Sequence, residues 1–362
     1  MFYGFLILVL GCLCQGSFGL GMKKYQPFSW EAFWTLFSVV GILIIPIAWT
    51  WLEAPQFMTY IMETKLEVLV IASFCGFLWG ISAILFGKAV DSIGVSLTYG
   101  INMGISASLG SLIPLILFGQ IPVASSFITL LLGMVVMLGG VGIITKAGLD
   151  KEKLMNQGEG QLVQQGQGQM RLDKTQVQRK LQVNSNGKTT NKGLSQGILM
   201  ASLAGLGSAA MNIGFSYANQ TLAIATSYGV NAVNASLIPW VITLSGGFVA
   251  NFAYSFMKLI KNRSYRDYVA VGAGKAYGKA LATSLIWFLA LGFYAKASVM
   301  LGPLGASVGW LTFNGLALIV SNVWGLLDGE WKGYDKPRRL LLTGNAFLII
   351  SWIIVGIANS LA

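Results

Sequence analysis

The sequence predicts an all-α polytopic membrane protein, with ten transmembrane helices arranged as two inverted five-helix repeats. Three observations lead there. Of the 362 residues, 55% are hydrophobic and only 10% are charged, against about 25% charged in a soluble domain, so the chain lacks the charge to cover a water-facing surface. Ten stretches reach the ~20 mainly apolar residues that a helix needs to cross the hydrocarbon core. The basic residues alternate with the connections: all but two of the 24 Lys and Arg, the exceptions being Lys65 and Lys296, lie in or beside those that follow odd-numbered helices.

The stretches fall at about 2–22, 31–52, 67–88, 93–118, 123–145, 194–218, 232–257, 278–298, 301–327 and 340–361. They are too long and too uniformly apolar for transmembrane β-strands of about ten residues. The first has no basic segment before it and no small-residue cleavage pattern, and Lys23-Lys24 follows it, so it reads as a retained helix rather than a signal peptide. The second opens on Ser29-Trp30-Glu31, where Ser29 suits a cap and a first-turn carboxylate complements the helix dipole. Proton binding is the other role open to Glu31.

After the fifth stretch, residues 147–192 are polar, poor in aromatic and branched apolar side chains, and include Gln164-Gln165-Gly166-Gln167-Gly168-Gln169. That composition predicts a flexible cytoplasmic linker between a first transmembrane half, 1–146, and a second, 193–362. By the positive-inside rule the odd-numbered connections are cytoplasmic and both termini lie outside. The net charge of +11 therefore reports orientation, and no nucleic-acid partner is expected; the linker's share of it could touch anionic headgroups of the lipid bilayer or merely help orientation on a solvated tether.

Halves of five helices related by duplication must be inverted, and a repeat is present. Trp79-Gly80 through Lys88-Ala89, with Gly94 beyond, matches Trp287 through Lys296-Ala297, with Gly302 beyond, at a constant offset of 208. Lys88 then ends its helix inside and Lys296 ends its helix outside, where either could snorkel to headgroups. Such a repeat is a hallmark of alternating-access transporters, with one five-helix half expected to rock against the other.

No catalytic constellation is visible. There is no His, and Cys12, Cys14 and Cys75 all sit in apolar runs, so neither a disulfide framework nor a Cys/His metal site can be assembled. Neither enzymatic activity nor a cofactor is expected. Trp30, Trp34, Trp49, Trp51, Trp331 and Trp352 lie near helix ends, as an interfacial belt would place them. Trp79 and Trp287 lie at mid-depth as repeat mates on opposite sides of a central axis, where flat rings could pack on a sugar or merely fill space. Gln15, Ser82, Tyr99, Asn102, Asn212, Tyr294 and Asn314 also fall within apolar spans. Amides and hydroxyls there must be paired or face a wet cavity. Each alone could join helices; together they favour a small neutral, hydroxyl-rich solute over an ion. The 45 glycines form small faces, as at Gly100 to Gly104 and Gly205 to Ala210, that let helices approach closely.

With these segments laid out, the chain resembles the L-rhamnose/proton symporter family of the drug/metabolite transporter superfamily. The stretches that carry the likeness are Lys23-Lys24 with Ser29-Trp30-Glu31 and Trp34, Trp79-Gly80 through Phe86-Gly87 to Gly94 and Gly100, and Gly205 to Met211. Further on come Pro239 to Asn251 with Gly246-Gly247, Phe293-Tyr294-Ala295, Trp310, and Gly325-Leu326-Leu327 to Glu330-Trp331. The resemblance implies import of L-rhamnose with a proton across a bacterial inner membrane. Glu31 is the one acid in a matching motif that could titrate from a cavity. Sodium coupling, uncoupled transport and a different small solute stay open as alternatives.

Overall fold

The computed structural model describes residues 2–22, 24–166 and 191–362, and among the described residues there is no strand. Among the described residues, ten helices are long and apolar enough to cross a membrane, one for each predicted stretch. They are α1 (Phe2–Ser17), prolonged by a 3-10 turn over Phe18–Met22, α2 (Trp30–Glu53), α3 (Leu66–Ile93), α4 (Val95–Leu117) and α5 (Ala124–Gly166). The second half holds α6 (Asn191–Ser227), α7 (Ile238–Lys261), α8 (Ala273–Met300), α9 (Gly305–Leu327) and α10 (Asp335–Ser360).

Two departures from regularity have local causes. Within α2 the segment Ser38–Ile44 is a π-helix. Pro46 has no N–H for the carbonyl four residues back, and the Ile45 N–H reaches Val40 O instead, the wider register of a π turn. The helix α5 continues to Gly166, well past residue 145 and into the segment expected to be a linker. Lys, Glu, Gln and Met propagate a helix readily, so the ladder runs on after the apolar stretch ends. Residues 167–190, the middle of that expected linker, lie outside the described residues.

The halves do not sit side by side. The helix α6 packs along α3 and α4, and α7 along α3, whereas α1 packs along α8 and α9, and α2 lies against α7 and α8. Two interleaved bundles result, one of α3, α4, α6 and α7 and the other of α1, α2, α8 and α9, with α5 and α10 paired beside them. Lipid tails supply no hydrophobic drive between helices, so close contact of small residues must hold them. Gly207 of α6 backs onto Ser82 of α3, Gly11 of α1 onto the Ala290 carbonyl of α8, and Gly344 of α10 onto Gly140 of α5.

At one end, the connections after odd-numbered helices meet: the Ser29 N–H donates to Asp267 (2.8 Å) and Lys279 Nζ to the Lys24 carbonyl (2.8 Å). At the opposite end Lys296 of α8 pairs with Glu53 of α2 (2.8 Å), and Trp49 Nε1 donates to the same carboxylate (2.8 Å). Lys296 thus has an internal partner, while its repeat mate Lys88 is exposed. Replacing Lys296 by Met leaves a half-buried carboxylate with the indole as its remaining donor. A fall in detergent Tm equivalent to roughly 1–3 kcal/mol is expected, against less than about 0.5 kcal/mol for Lys88→Met; matching melts for the two variants would show that the ion pair carries no stability.

Candidate functional site

Between the two bundles, at the end where α1, α3 and α9 finish and α4 begins, a cavity of about 700 Å³ opens. Its walls are apolar and neutral-polar, including Tyr99, Thr145, Ser321 and Asn322, and its charged groups, Lys151, Glu152 and Glu330, belong to α5 and the α9–α10 connection. The Lys151 ammonium stands 4.7 Å from the Trp331 ring centroid.

One of the sequence-derived candidates, Tyr99, lines this cavity, and three others lie within a helical turn of lining residues. Tyr99 lines it, with its ring edge-on to Phe86 at 4.9 Å. Asn102 is one turn deeper on α4, and its carboxamide oxygen accepts from Ser208 (3.3 Å). Gln15 adjoins the lining residue Gly16, and its Oε1 is buried without a protein partner. Asn314 is one turn from the lining residue Leu318 and donates to the Trp310 carbonyl of its own helix (2.8 Å). Ser82 likewise bonds within its own helix, to the Trp79 carbonyl (2.7 Å). This local bond satisfies the hydroxyl without a ligand.

Trp79 and Trp287 touch. Their rings stack at 5.6 Å and 14°, so each covers a face of the other rather than flanking an open space. A Cβ on Gly247 would lie 2.8 Å from the Trp79 ring, so only glycine at 247 lets α7 come this close to the indole. Trp287 meets Phe37 edge-on at 5.3 Å. Trp34, placed by its sequence position in an interfacial belt, instead reaches inward and donates to Asn251 Oδ1 (2.9 Å). Asn251 is 1% exposed and absent from the sequence-derived set, although an amide in the middle of an apolar stretch was the available signal.

Asn212 and Tyr294 are brought together, but away from the cavity. Pro114, inside α4, has no N–H for the Gly110 carbonyl four residues earlier, and Asn212 Nδ2 donates to that freed oxygen (2.8 Å). This orients the amide so that its Oδ1 faces the Tyr294 hydroxyl (2.5 Å), whose single proton is shared with the Ala306 carbonyl (2.8 Å). Phe215, Trp240, Trp310 and Phe313 surround the fully buried Tyr294 ring, and Trp310 Nε1 donates across to the Ser106 carbonyl (3.1 Å). Every one of these hydrogen bonds joins one bundle to the other or braces such a bond. Together they form a seal between the bundles at the end opposite the cavity.

Glu31 does not line the cavity. It is 9% exposed at the start of α2, where Ser29 caps the helix by accepting from the Ala32 N–H (3.4 Å). Its Oε1 accepts from Asn262 Nδ2 (2.8 Å) and Ser264 Oγ (2.6 Å), which closes the junction between α2 and the α7–α8 connection. Tyr268 donates to the Ala32 carbonyl at the same junction (2.9 Å). Burial, helped by Tyr277 and Asp267, pushes the Tyr268 phenol up to about 12, so it stays a donor throughout the physiological range.

A sequence profile described as L-rhamnose-proton symport protein (RhaT) matches residues 1–167 and 173–360. This chain belongs to that family. It is 26% identical over 358 residues to the L-rhamnose-proton symporters of Citrobacter koseri and Yersinia pestis, an alignment covering 96% of this chain and 95% of each relative. The Escherichia coli protein of the same name is 26% identical over 362 residues, at the same coverage. The family is one of transport proteins, so the chain is a transporter and not an enzyme, and its ten apolar helices make it a multi-pass membrane protein.

Proposed function

We propose that this protein imports L-rhamnose together with a proton by alternating access across a bacterial inner membrane, with both termini outside. The observation that carries this reading is one-sided access: a cavity of about 700 Å³ opens between two bundles at one end, while toward the opposite end the bundles are bonded to each other through Asn212, Tyr294 and Ala306. The positive-inside rule puts the basic connections, and hence the cavity mouth, in the cytoplasm, so the conformation is inward-facing. Gln15, Tyr99, Asn102 and Asn314 suit a sugar at the inner end of the cavity, because their neutral amides and hydroxyls pair with hydroxyls at no charge-burial cost. Trp79 and Trp287 join that site once their stack parts, Ser82 supports it from α3, and Asn212 and Tyr294 govern entry from outside. Glu31 is the proposed proton site.

The moving parts are the two interleaved bundles rather than the two sequence halves. An inverted repeat is supported by packing that keeps its pattern when the halves are exchanged: α3 on α6 corresponds to α8 on α1, α3 on α7 to α8 on α2, and α4 on α6 to α9 on α1. The deciding experiment is L-rhamnose uptake by the purified protein in proteoliposomes. Saturable uptake stimulated by an inward proton gradient is expected. Stimulation by a sodium gradient alone would replace the coupling ion, and absence of saturable uptake would remove L-rhamnose as the cargo.

A further inference from the structure

On the far side of the seal, the ends of α4 and α6 and the start of α9 enclose a second hollow of about 250 Å³. Phe118 and Gln120 contribute from the end of α4, Ser216, Asn219 and Gln220 from α6, and Ser307 from α9, so both bundles build it. Its floor is the seal itself: Ala306 lines the hollow, and its carbonyl accepts the Tyr294 hydroxyl. Asn212 lies one turn below Ser216 on α6, and Gly110, whose carbonyl Asn212 holds, lies one turn below Pro114 on α4.

The lining chemistry is selective. None of the lining residues is charged, so an ion entering would lose hydration without a counter-charge, which is expensive. Three carboxamides and two hydroxyls offer both donors and acceptors, and Phe118 offers an apolar ring beside them. Ser216 is 7% exposed, and its hydroxyl oxygen is buried in the wall of the hollow without a protein partner, a demand that a guest or water can meet once that wall moves. A concave site with an apolar wall and a few convergent neutral polar groups suits a compact polyol.

We propose that this hollow is a loading site for a neutral monosaccharide, occupied while the seal beneath it is closed. It rests on the reading of the protein as a sugar importer, and adds that the cargo is bound outside before the bundles part. Sugar held on Ala306 then enters the core as the Tyr294 bridge breaks.

The test places a single cysteine at the rim, Gln120→Cys, in a background carrying Cys12→Ala, Cys14→Ala and Cys75→Ala, and follows its reaction with a membrane-impermeant maleimide against a panel of monosaccharides. Slower labelling in L-rhamnose supports both the loading site and the cargo. Slower labelling in another monosaccharide but not in L-rhamnose supports the site and overturns the cargo. Labelling unaffected by any sugar, in protein that still transports, overturns the site. Because a distant conformational change could also protect the cysteine, a second variant, Gln120→Ala with Gln220→Ala, is assayed in vesicles of defined orientation. A several-fold rise in KM for sugar entering from the hollow, with KM from the cavity side unchanged, is expected. An equal change from both sides, or none, would overturn the proposal.

Discussion

Replacing Tyr294 by phenylalanine is expected to weaken the seal while leaving the aromatic packing in place. The ring keeps its contacts with Phe215, Trp240, Trp310 and Phe313, but Asn212 Oδ1 and the Ala306 carbonyl lose the hydroxyl they share. Leaving a buried acceptor unmet costs about 1–3 kcal/mol. With the bundles apart, both acceptors can meet water, so the loss falls on the sealed conformation alone and shifts the equilibrium by that difference. At about 1.4 kcal/mol per tenfold, the sealed population falls roughly 5- to 140-fold relative to the open one. The measurement is the labelling rate of a cysteine placed at Ser216, beside the seal, by a membrane-impermeant reagent from the hollow's side. Faster labelling by that factor is expected in the Tyr294→Phe background. Equal rates with and without the hydroxyl would show that the bridge does not hold the bundles together.

The seal also shows where sequence reasoning reaches and where it stops. Span length and apolar composition are local properties, so each of the ten predicted stretches reappears as a helix. The depth of Asn212 and Tyr294 within their spans was equally legible, but their meeting was not, since it depends on α6 and α8 being neighbours across the bundle boundary. One clue was present in the sequence: Pro114 inside an apolar stretch frees the Gly110 carbonyl, and a freed carbonyl in lipid demands a donor. Asn212 is that donor. Helices that are apolar all round carry no amphipathic stripe to reveal which face meets which neighbour. This is why the interleaving of α1 with α8 and α9 could not be read. For the same reason sequence position alone places Trp34 at the interface while it bonds Asn251 in the interior, and lets Lys296 snorkel while Glu53 holds it. The repeat paired Trp79 with Trp287 but could not say that the rings touch.

Replacing Glu31 by glutamine is expected to separate sugar movement from the proton gradient. Glu31 is the one buried carboxylate among the described residues, and it joins α2 of one bundle to the connection that leaves α7 of the other. The charged groups around it are Lys258 on α7 and, in the α7–α8 connection, Asp267, which binds the Ser29 N–H rather than Glu31. Hydrogen bonds to a carboxylate favour its ionised form, and those from Asn262 and Ser264 are charge-assisted and hence stronger than neutral ones. Ionised Glu31 therefore holds the junction closed in the conformation seen here. Under the proposed role, protonation weakens both bonds and loosens this junction, so the conformation seen here is the one that has given its proton up to the cytoplasm, as import with a proton requires. A glutamine is neutral at every pH and forms only neutral hydrogen bonds, so Glu31→Gln should still exchange labelled for unlabelled L-rhamnose while losing accumulation driven by an imposed proton gradient. If Glu31 is instead only the first-turn carboxylate that stabilises α2, the variant loses about 0.3–1 kcal/mol of stability, seen as a lower Tm, and exchange and gradient-driven uptake fall together. A variant that accumulates L-rhamnose as the parent protein does would remove Glu31 from the coupling mechanism altogether.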